Sequence, residues 1–192
     1  VLKLITAPTV EPVTLTEVKE QAVIGVSTDD TLLTRLISVA RAEAEGITQR
    51  SLAPTTWEVV LDTWPSREIR LPRGPVTAVS SVKYYDEDGV EQTLSASIYE
   101  TDLDSLVARV QPRDGEEWPD LAVMANAVRV RYTAGWTASA IPVEIKQWIL
   151  VRVAGLYAQR ENFVAGNGAP NVVPMPRNFV DALLDQYTVV EV

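Results

Sequence analysis

Ile47-Thr48-Gln49-Arg50-Ser51-Leu52-Ala53-Pro54-Thr55-Thr56-Trp57-Glu58-Val59-Val60-Leu61-Asp62 is the stretch in which the chain changes its period. Up to Ile47, apolar residues recur at Leu32, Leu33, Leu36, Ile37, Ala40, Ala44 and Ile47, a spacing that lays one stripe along a helix. Beyond Pro54 the period is two, with Trp57, Val59 and Leu61 alternating with Glu58, Val60 and Asp62. One chain therefore holds a helical region followed by a strand region.

Toward the N-terminus, the striped helix is expected to run from about Asp30 to Gln49, with Asp29 and Asp30 where the helix dipole favours negative charge. A shorter helix is expected over Leu15 to Ile24. Thr14, with Glu17 three residues later, forms a capping box that satisfies orphan amides at its start. Each leucine fully buried on the stripe is worth roughly 1.5–3 kcal/mol. Residues before Thr14 read as an extended lead.

Toward the C-terminus, Ile69 and Leu71 precede Pro72-Arg73-Gly74-Pro75, which forces a turn. Val79, Val82 and Tyr84 lead into Asp86-Glu87-Asp88-Gly89, a hairpin turn. Short strands follow at Val90 to Leu94, Ile98 to Thr101 and Leu106 to Val110, and Val128, Val130 and Tyr132 alternate with Arg129 and Arg131. Such spacing predicts a small antiparallel sheet or barrel. Pro142 then opens a third helix that runs to about Arg160. Its apolar residues, from Ile145 to Tyr157, wrap nearly all round it, so it is expected to be buried on most faces. Residues 162–177 read as a Gly/Pro loop. A short helix capped by Asn178 and a Val-rich tail, Thr188 to Val192, end the chain. The fold class is α+β: a helical bundle with an inserted small antiparallel β domain. The expected parts are bundle at 1–53, β domain at 54–136, the central helix of the bundle at 137–161, and loop, short helix and docking tail at 162–192.

Composition narrows the function. The chain has 192 residues with no Cys and no His, so thiolate metal sites, disulfides and every imidazole-based catalytic arrangement are excluded. Lys and Arg total 17 against 26 Asp and Glu, a net charge of −9 that repels phosphate and anionic lipid. No signal peptide is expected in Val1 to Val13, which Pro8 and Pro12 interrupt. The densest apolar region, Trp148 to Ala154, is too short to span a bilayer.

The remaining motifs favour plain readings. Asp86-Glu87-Asp88-Gly89 lacks the acidic residue two positions earlier that a calcium loop needs, since Tyr84 stands there, and reads as a turn. Asp102 and Asp104 share one side of a strand but have no reactive neighbours in sequence, and read as a solvated strand end. Gly166-Asn167-Gly168 lacks the Lys and Ser or Thr of a phosphate loop. Tryptophans at 57, 64, 118, 136 and 148 read as packing residues, and Arg129 with Arg131 as an exposed sheet face. No catalytic, cofactor or metal residue is expected, and no enzyme activity.

The series as a whole resembles the head–tail connector, or adaptor, proteins of long-tailed phages and gene transfer agents. The matching stretches are Leu15-Thr16-Glu17-Val18-Lys19, Arg50-Ser51-Leu52, Thr56-Trp57-Glu58, Leu71 to Val76 and the Asp86 to Gln92 hairpin. They continue through Tyr132-Thr133-Ala134-Gly135, Pro142 to Gln147, Tyr157 with Arg160-Glu161, and Ala182-Leu183-Leu184 before Tyr187. The family often carries a basic residue after that tyrosine, where this chain has Thr188. The resemblance implies a virion protein of the head–tail junction, assembled in the bacterial host cytoplasm. It implies a homo-oligomeric ring of about a dozen copies under the portal protein. Such a ring extends the DNA channel and meets a downstream neck, stopper or tail-terminator protein. It touches no membrane and lets DNA pass without tight binding.

Two surfaces follow as expectations. The ring contacts are placed on Ile145, Trp148, Ile149, Val153 and Leu156 of the third helix and on Leu36 and Ile37 of the second, because the third helix is apolar on too many faces for one packing partner. Portal docking is placed on Phe179, Val180, Leu183, Leu184, Tyr187, Val189 and Val190, because a helix this short is stable only when packed on something. Two other classes of function stay open: a receptor- or glycan-binding β module mounted on helices, and a carboxylate hydrolase using Asp102 and Asp104.

Overall fold

The computed structural model of the chain describes residues 1–158 and 177–189, with the backbone alone at 177–180. The Gly/Pro loop expected at 162–177 falls, up to residue 176, outside the described residues, as do Arg160 and the end of the tail from Val190 to Val192. The chain forms two compact units. One comprises Val1–Val10 and Gln49–Thr137, the other Glu11–Thr48 and Ala138–Val192. The lead at 1–10 thus belongs with the strands and not with the helices of 1–53, because it pairs along a sheet edge.

In the strand unit, β1 (Leu2–Thr6), β2 (Thr55–Leu61), β3 (Ile69–Leu71), β4 (Val76–Tyr85), β5 (Glu91–Thr93), β6 (Tyr99–Asp102), β7 (Ala108–Pro112) and β8 (Val128–Ala134) form two sheets. One has five strands in the order β1-β2-β8-β4-β5 and the other three in the order β3-β7-β6. All pairings between these strands are antiparallel. β8 lies in the middle of the larger sheet. Its alternation puts Val128, Val130, Tyr132 and Ala134 into the core, where Val130 pairs with Val59 on one side and Val82 on the other. Ile69, Leu71, Ala108 and Val110 of the smaller sheet join the same core. On the opposite face, Arg131 binds Glu58 at 2.8 Å, and Arg129 lies over the Tyr85 ring and 3.7 Å from Glu91. The basic stripe is therefore an ion-paired sheet face.

The turn at Pro72-Arg73-Gly74-Pro75 is fixed from two directions. The Tyr132 hydroxyl donates to the Pro72 carbonyl at 2.7 Å, and the Ser51 amide donates to the carbonyls of Arg73 and Gly74. Just past β8, Gly135 has φ +110°, and a Cβ there would run into the Ala53 carbonyl. Only glycine fits this close approach of two backbones.

The helical unit contains α1 (Leu15–Gln21), α2 (Asp30–Thr48), α3 (Val143–Ala158) and α4 (Arg177–Asp185). The capping box at Thr14 is present, with both reciprocal bonds. These bonds to Thr14, backbone first, hold the Glu17 carboxyl below its ordinary pKa. α1 stops at Gln21 and not at Ile24. The Ile24 amide reaches back to the Lys19 carbonyl and the Val23 amide to that of Glu20, with Val23 at φ 55°. This is a Schellman ending with valine at the position that usually belongs to glycine. α2 buries Leu33, Ile37, Ala40, Ala44 and Thr48. Thr48, whose hydroxyl is satisfied by the Ala44 carbonyl, completes the stripe, while Ile47 is exposed. α3 buries Ile145, Trp148, Ile149 and Val153, and packs against α1, α2 and α4.

Replacing Gly135 by alanine forces either the αL-type strain, about 1–3 kcal/mol, or a shift of the Ala53 backbone, or both. Gly135→Ala is expected to lower the midpoint of urea unfolding by at least that much in stability, with the slope unchanged. An unaltered midpoint would show that the approach of the two backbones is not a constraint.

Candidate assembly surface

α3 carries most of the expected ring contacts, and the structure spends them internally. Ile145, Ile149 and Val153 are fully buried, and Trp148 and Ile37 nearly so, all within the helical unit. The reason is geometric: three other helices of the same unit pack against α3 and bury these four of its residues, while Leu150, Val151 and Tyr157 stay half-buried. Leu36 and Leu156 are half-buried, which leaves them partly available. The large apolar residues that face outward on α2 and α3 are Val39, Ile47 and Val143, the last 71% exposed. Val23 and Val26, in the α1–α2 connection, are exposed as well. No periodicity marks these residues as outward-facing, because an apolar side chain on a helix looks the same in sequence whether or not a partner helix lies over it.

The C-terminal helix folds back. α4 packs against α3 and α2. Asp181 accepts a hydrogen bond from the Trp148 indole N–H at 3.1 Å, and the Tyr187 hydroxyl donates to Glu144 at 3.0 Å. Burial and that carboxylate push the Tyr187 hydroxyl above its ordinary pKa. Leu184 is fully buried, Val189 is 8% exposed, and the Val189 amide donates to the Thr48 carbonyl at the end of α2. Leu183 and Tyr187 are half-buried. Leu184 and Val189 are thus core residues of this unit, because the bundle leaves one face of α3 for α4 to close. The side chains of Phe179 and Val180, and all of Val190, lie outside the described residues.

Asp102 and Asp104 do not form a reacting pair. Asp102 uses both oxygens as a turn staple, accepting from the Ser105 hydroxyl at 2.6 Å, the Ser105 and Asp104 amides, and Arg109. The Ser105 bonds, then Arg109, hold its carboxyl at about 2. Arg109 also binds Glu68 at 3.2 Å. Asp86 is likewise committed, to Gln92 first and then to the Val90 amide, which hold its pKa below the usual carboxylate range. Among the described residues no group of three acidic side chains is placed to hold a metal ion, and no helix is long and apolar enough to cross a membrane. Of the tryptophans, Trp148 is core, Trp64 stacks on Trp118 at 4.5 Å, and Arg73 and Arg50 lie over Trp57 and Trp136.

Comparison with known proteins gives a consistent picture. Residues 12–106 match the family model described as Phage gp6-like head-tail connector protein. A search of curated proteins finds no match. Among solved structures, a chain in the neck of an empty gene transfer agent particle, computed with C6 symmetry, superposes with a TM-score of 0.80 at 24% identity, covering 100% of this chain and 97% of that one. A chain in the virion of a native gene transfer agent particle gives 0.80 at 25% identity, with 100% and 96% covered. A chain in the neck of the native particle, computed with C12 symmetry, gives 0.74 at 24% identity, with 100% and 97% covered.

Two outcomes follow from this geometry. Leu184→Ala leaves a cavity beside α3 and is expected to cost about 2–5 kcal/mol, read from urea unfolding. Cutting the chain after Arg177 is expected to be worse, because Trp148 then loses both its cover and its acceptor; a truncated chain of unchanged stability would show that α4 is not part of this core. The second outcome concerns pH. The folded pKa of Asp102 lies below its unfolded value of roughly 3.9. Its contribution is therefore complete above that value and lost as pH falls through about 2. Asp102→Asn is expected to flatten the acid limb of the unfolding curve in this window, and an acid limb identical to wild type would contradict the staple.

Proposed function

We propose that the chain, whose residues 12–106 match the Phage gp6-like head-tail connector family, is a head–tail connector that forms a ring beneath the portal, extends the DNA channel and joins head to neck or tail. Its role at the virion head–tail junction is structural; the family is one of connectors and not of enzymes. The observation that carries the ring reading is coverage. The whole chain aligns with neck components of particles whose structures were computed with cyclic symmetry.

Cyclic assembly requires heterologous contacts, in which two different patches of one chain meet on neighbouring copies. In this reading the helical unit builds the ring and the strand unit decorates it. The contacts use the outward residues Val39 and Val143 with the partly covered Leu36 and Leu156, since Ile145, Trp148, Ile149 and Val153 of α3 are internal. The C-terminal segment, residues 178–192, is the portal-facing element. It does so while Leu184 and Val189 anchor it, so portal contact falls to Leu183, Tyr187 and the residues around them. Net charge −9 suits a conduit from which DNA is repelled and through which it slides. A stopper or tail-terminator protein would take the other side of the ring, and assembly would occur in the host cytoplasm.

Mass photometry of the purified full chain, alone and with portal protein, tests the ring. The expected result is a discrete closed oligomer that forms on, or is stabilised by, the portal, and that Val143→Asp and Val39→Asp weaken by about tenfold or more without unfolding the chain. A chain that stays monomeric with portal present, at concentrations where neck particles form, would overturn the reading.

A further inference from the structure

The connection from β7 to β8 has no strand or helix over residues 113–127, yet it is clamped along its length. Trp118 stacks on Trp64 with the rings 6° from parallel, and the Trp64 indole N–H donates to the Pro119 carbonyl at 2.8 Å. The Ala122 amide donates to the Tyr85 carbonyl at 3.1 Å, and the Tyr85 amide donates to the Ala127 carbonyl at 2.9 Å. The Asn126 amide donates to Asp62 at 2.7 Å. Between these anchors, Val123 is fully exposed and Met124 is 42% exposed. Packing thus holds the loop in one shape while its two apolar tip residues are left in solvent.

The loop is not alone at this end of the five-stranded sheet. The bonds to Tyr85 set it beside the β4–β5 turn, where Val90 is also exposed. Glu91 is paired with Lys83 at 2.8 Å, but from 86 to 90 and from 114 to 128 the chain has seven further acidic residues, Asp86, Glu87 and Asp88 in the first and Asp114, Glu116, Glu117 and Asp120 in the second, and no Lys or Arg. The result is an apolar tip in a negative field on a rigid mount. A phosphate backbone or an anionic lipid is repelled by such a field. The same two acidic loops of a second copy meet the same repulsion.

We infer that the two loops dock a different protein of the neck, one that offers an apolar socket rimmed by Lys and Arg. This rests on the head–tail junction reading. The tip supplies the buried anchor and the acidic surround supplies orientation and encounter rate, the usual division of labour at an interface. The rigid mount lowers the ordering cost of binding, because the loop is already in its bound shape.

The test uses whole particles in which the full-length chain is replaced by a variant. Val123→Ser with Met124→Ser removes the anchor at positions that make no core contact, and Glu116→Lys with Glu117→Lys reverses part of the field. Three readouts are taken: thermal unfolding of the variant, presence of its ring on DNA-filled heads, and the yield of heads joined to purified tails, counted by electron microscopy. Both variants are expected to fold and to form rings on heads as wild type does, with tail joining reduced about tenfold or more. The charge variant is expected to be the more salt-insensitive of the two, because it has lost the screened component. Normal tail joining by variant rings overturns the inference alone. Loss of the ring itself overturns the choice of partner, since the tip would then meet another copy. Wild-type chain absent from the neck would instead sink the junction reading, and this inference with it.

Discussion

Burial of Trp148 is the interaction on which the helical unit depends. The indole is almost completely enclosed on α3, and its single polar atom is satisfied by Asp181 of α4. A tryptophan in this position contributes a large apolar area to the core, but only if its N–H finds an acceptor. Both requirements are met only when segments far apart in sequence come together. α1 and α2 lie before β2–β8, and α3 and α4 after them. The Val189 amide bonding to the Thr48 carbonyl closes the same unit at its far end. The C-terminal helix is therefore a structural member of the unit, whatever surface it also presents.

The strand unit obeys a parallel constraint at β8. Its inward residues complete the core shared by both sheets, and its outward arginines neutralise Glu58 and Glu91. Neutralising the sheet face matters for the surface as a whole. Outside that face, most acidic residues of this unit sit in turns and loops, among them the two that flank Val90, Val123 and Met124. A ring of such chains would carry this pattern at every copy, so a contact that is weak once would be repeated around the circle.

How much of this was legible in the sequence depends on how local each cause is. The capping box at Thr14 and Glu17 was readable because its bonds join residues three apart. The switch from a helical stripe to alternation after Pro54 was readable for the same reason, and gave a mixed chain of helices and antiparallel strands. The end of α1 was not, because a Schellman ending normally announces itself with glycine, and here Val23 occupies that place. Thr48 was passed over for Ile47, since a buried hydroxyl is invisible until its carbonyl partner is known. The pairing of β1 with β2, the central place of β8 and the division into two sheets depend on contacts across most of the chain, which periodicity does not encode. The family was readable from the ordered series of short motifs. The assembly surface was the least legible part: α3 shows its apolar content in sequence, but not which helices cover it. Val123 and Met124 belong to no periodic pattern.

The role proposed for this chain is that of a structural ring component at the head–tail junction. Electron cryomicroscopy of the neck of the particle that carries it, reconstructed first without imposed symmetry, tests that most directly. The expected result is a closed cyclic ring in which every copy shows both units and the same contacts to its neighbours. A neck whose density contains no ring of this chain would contradict it.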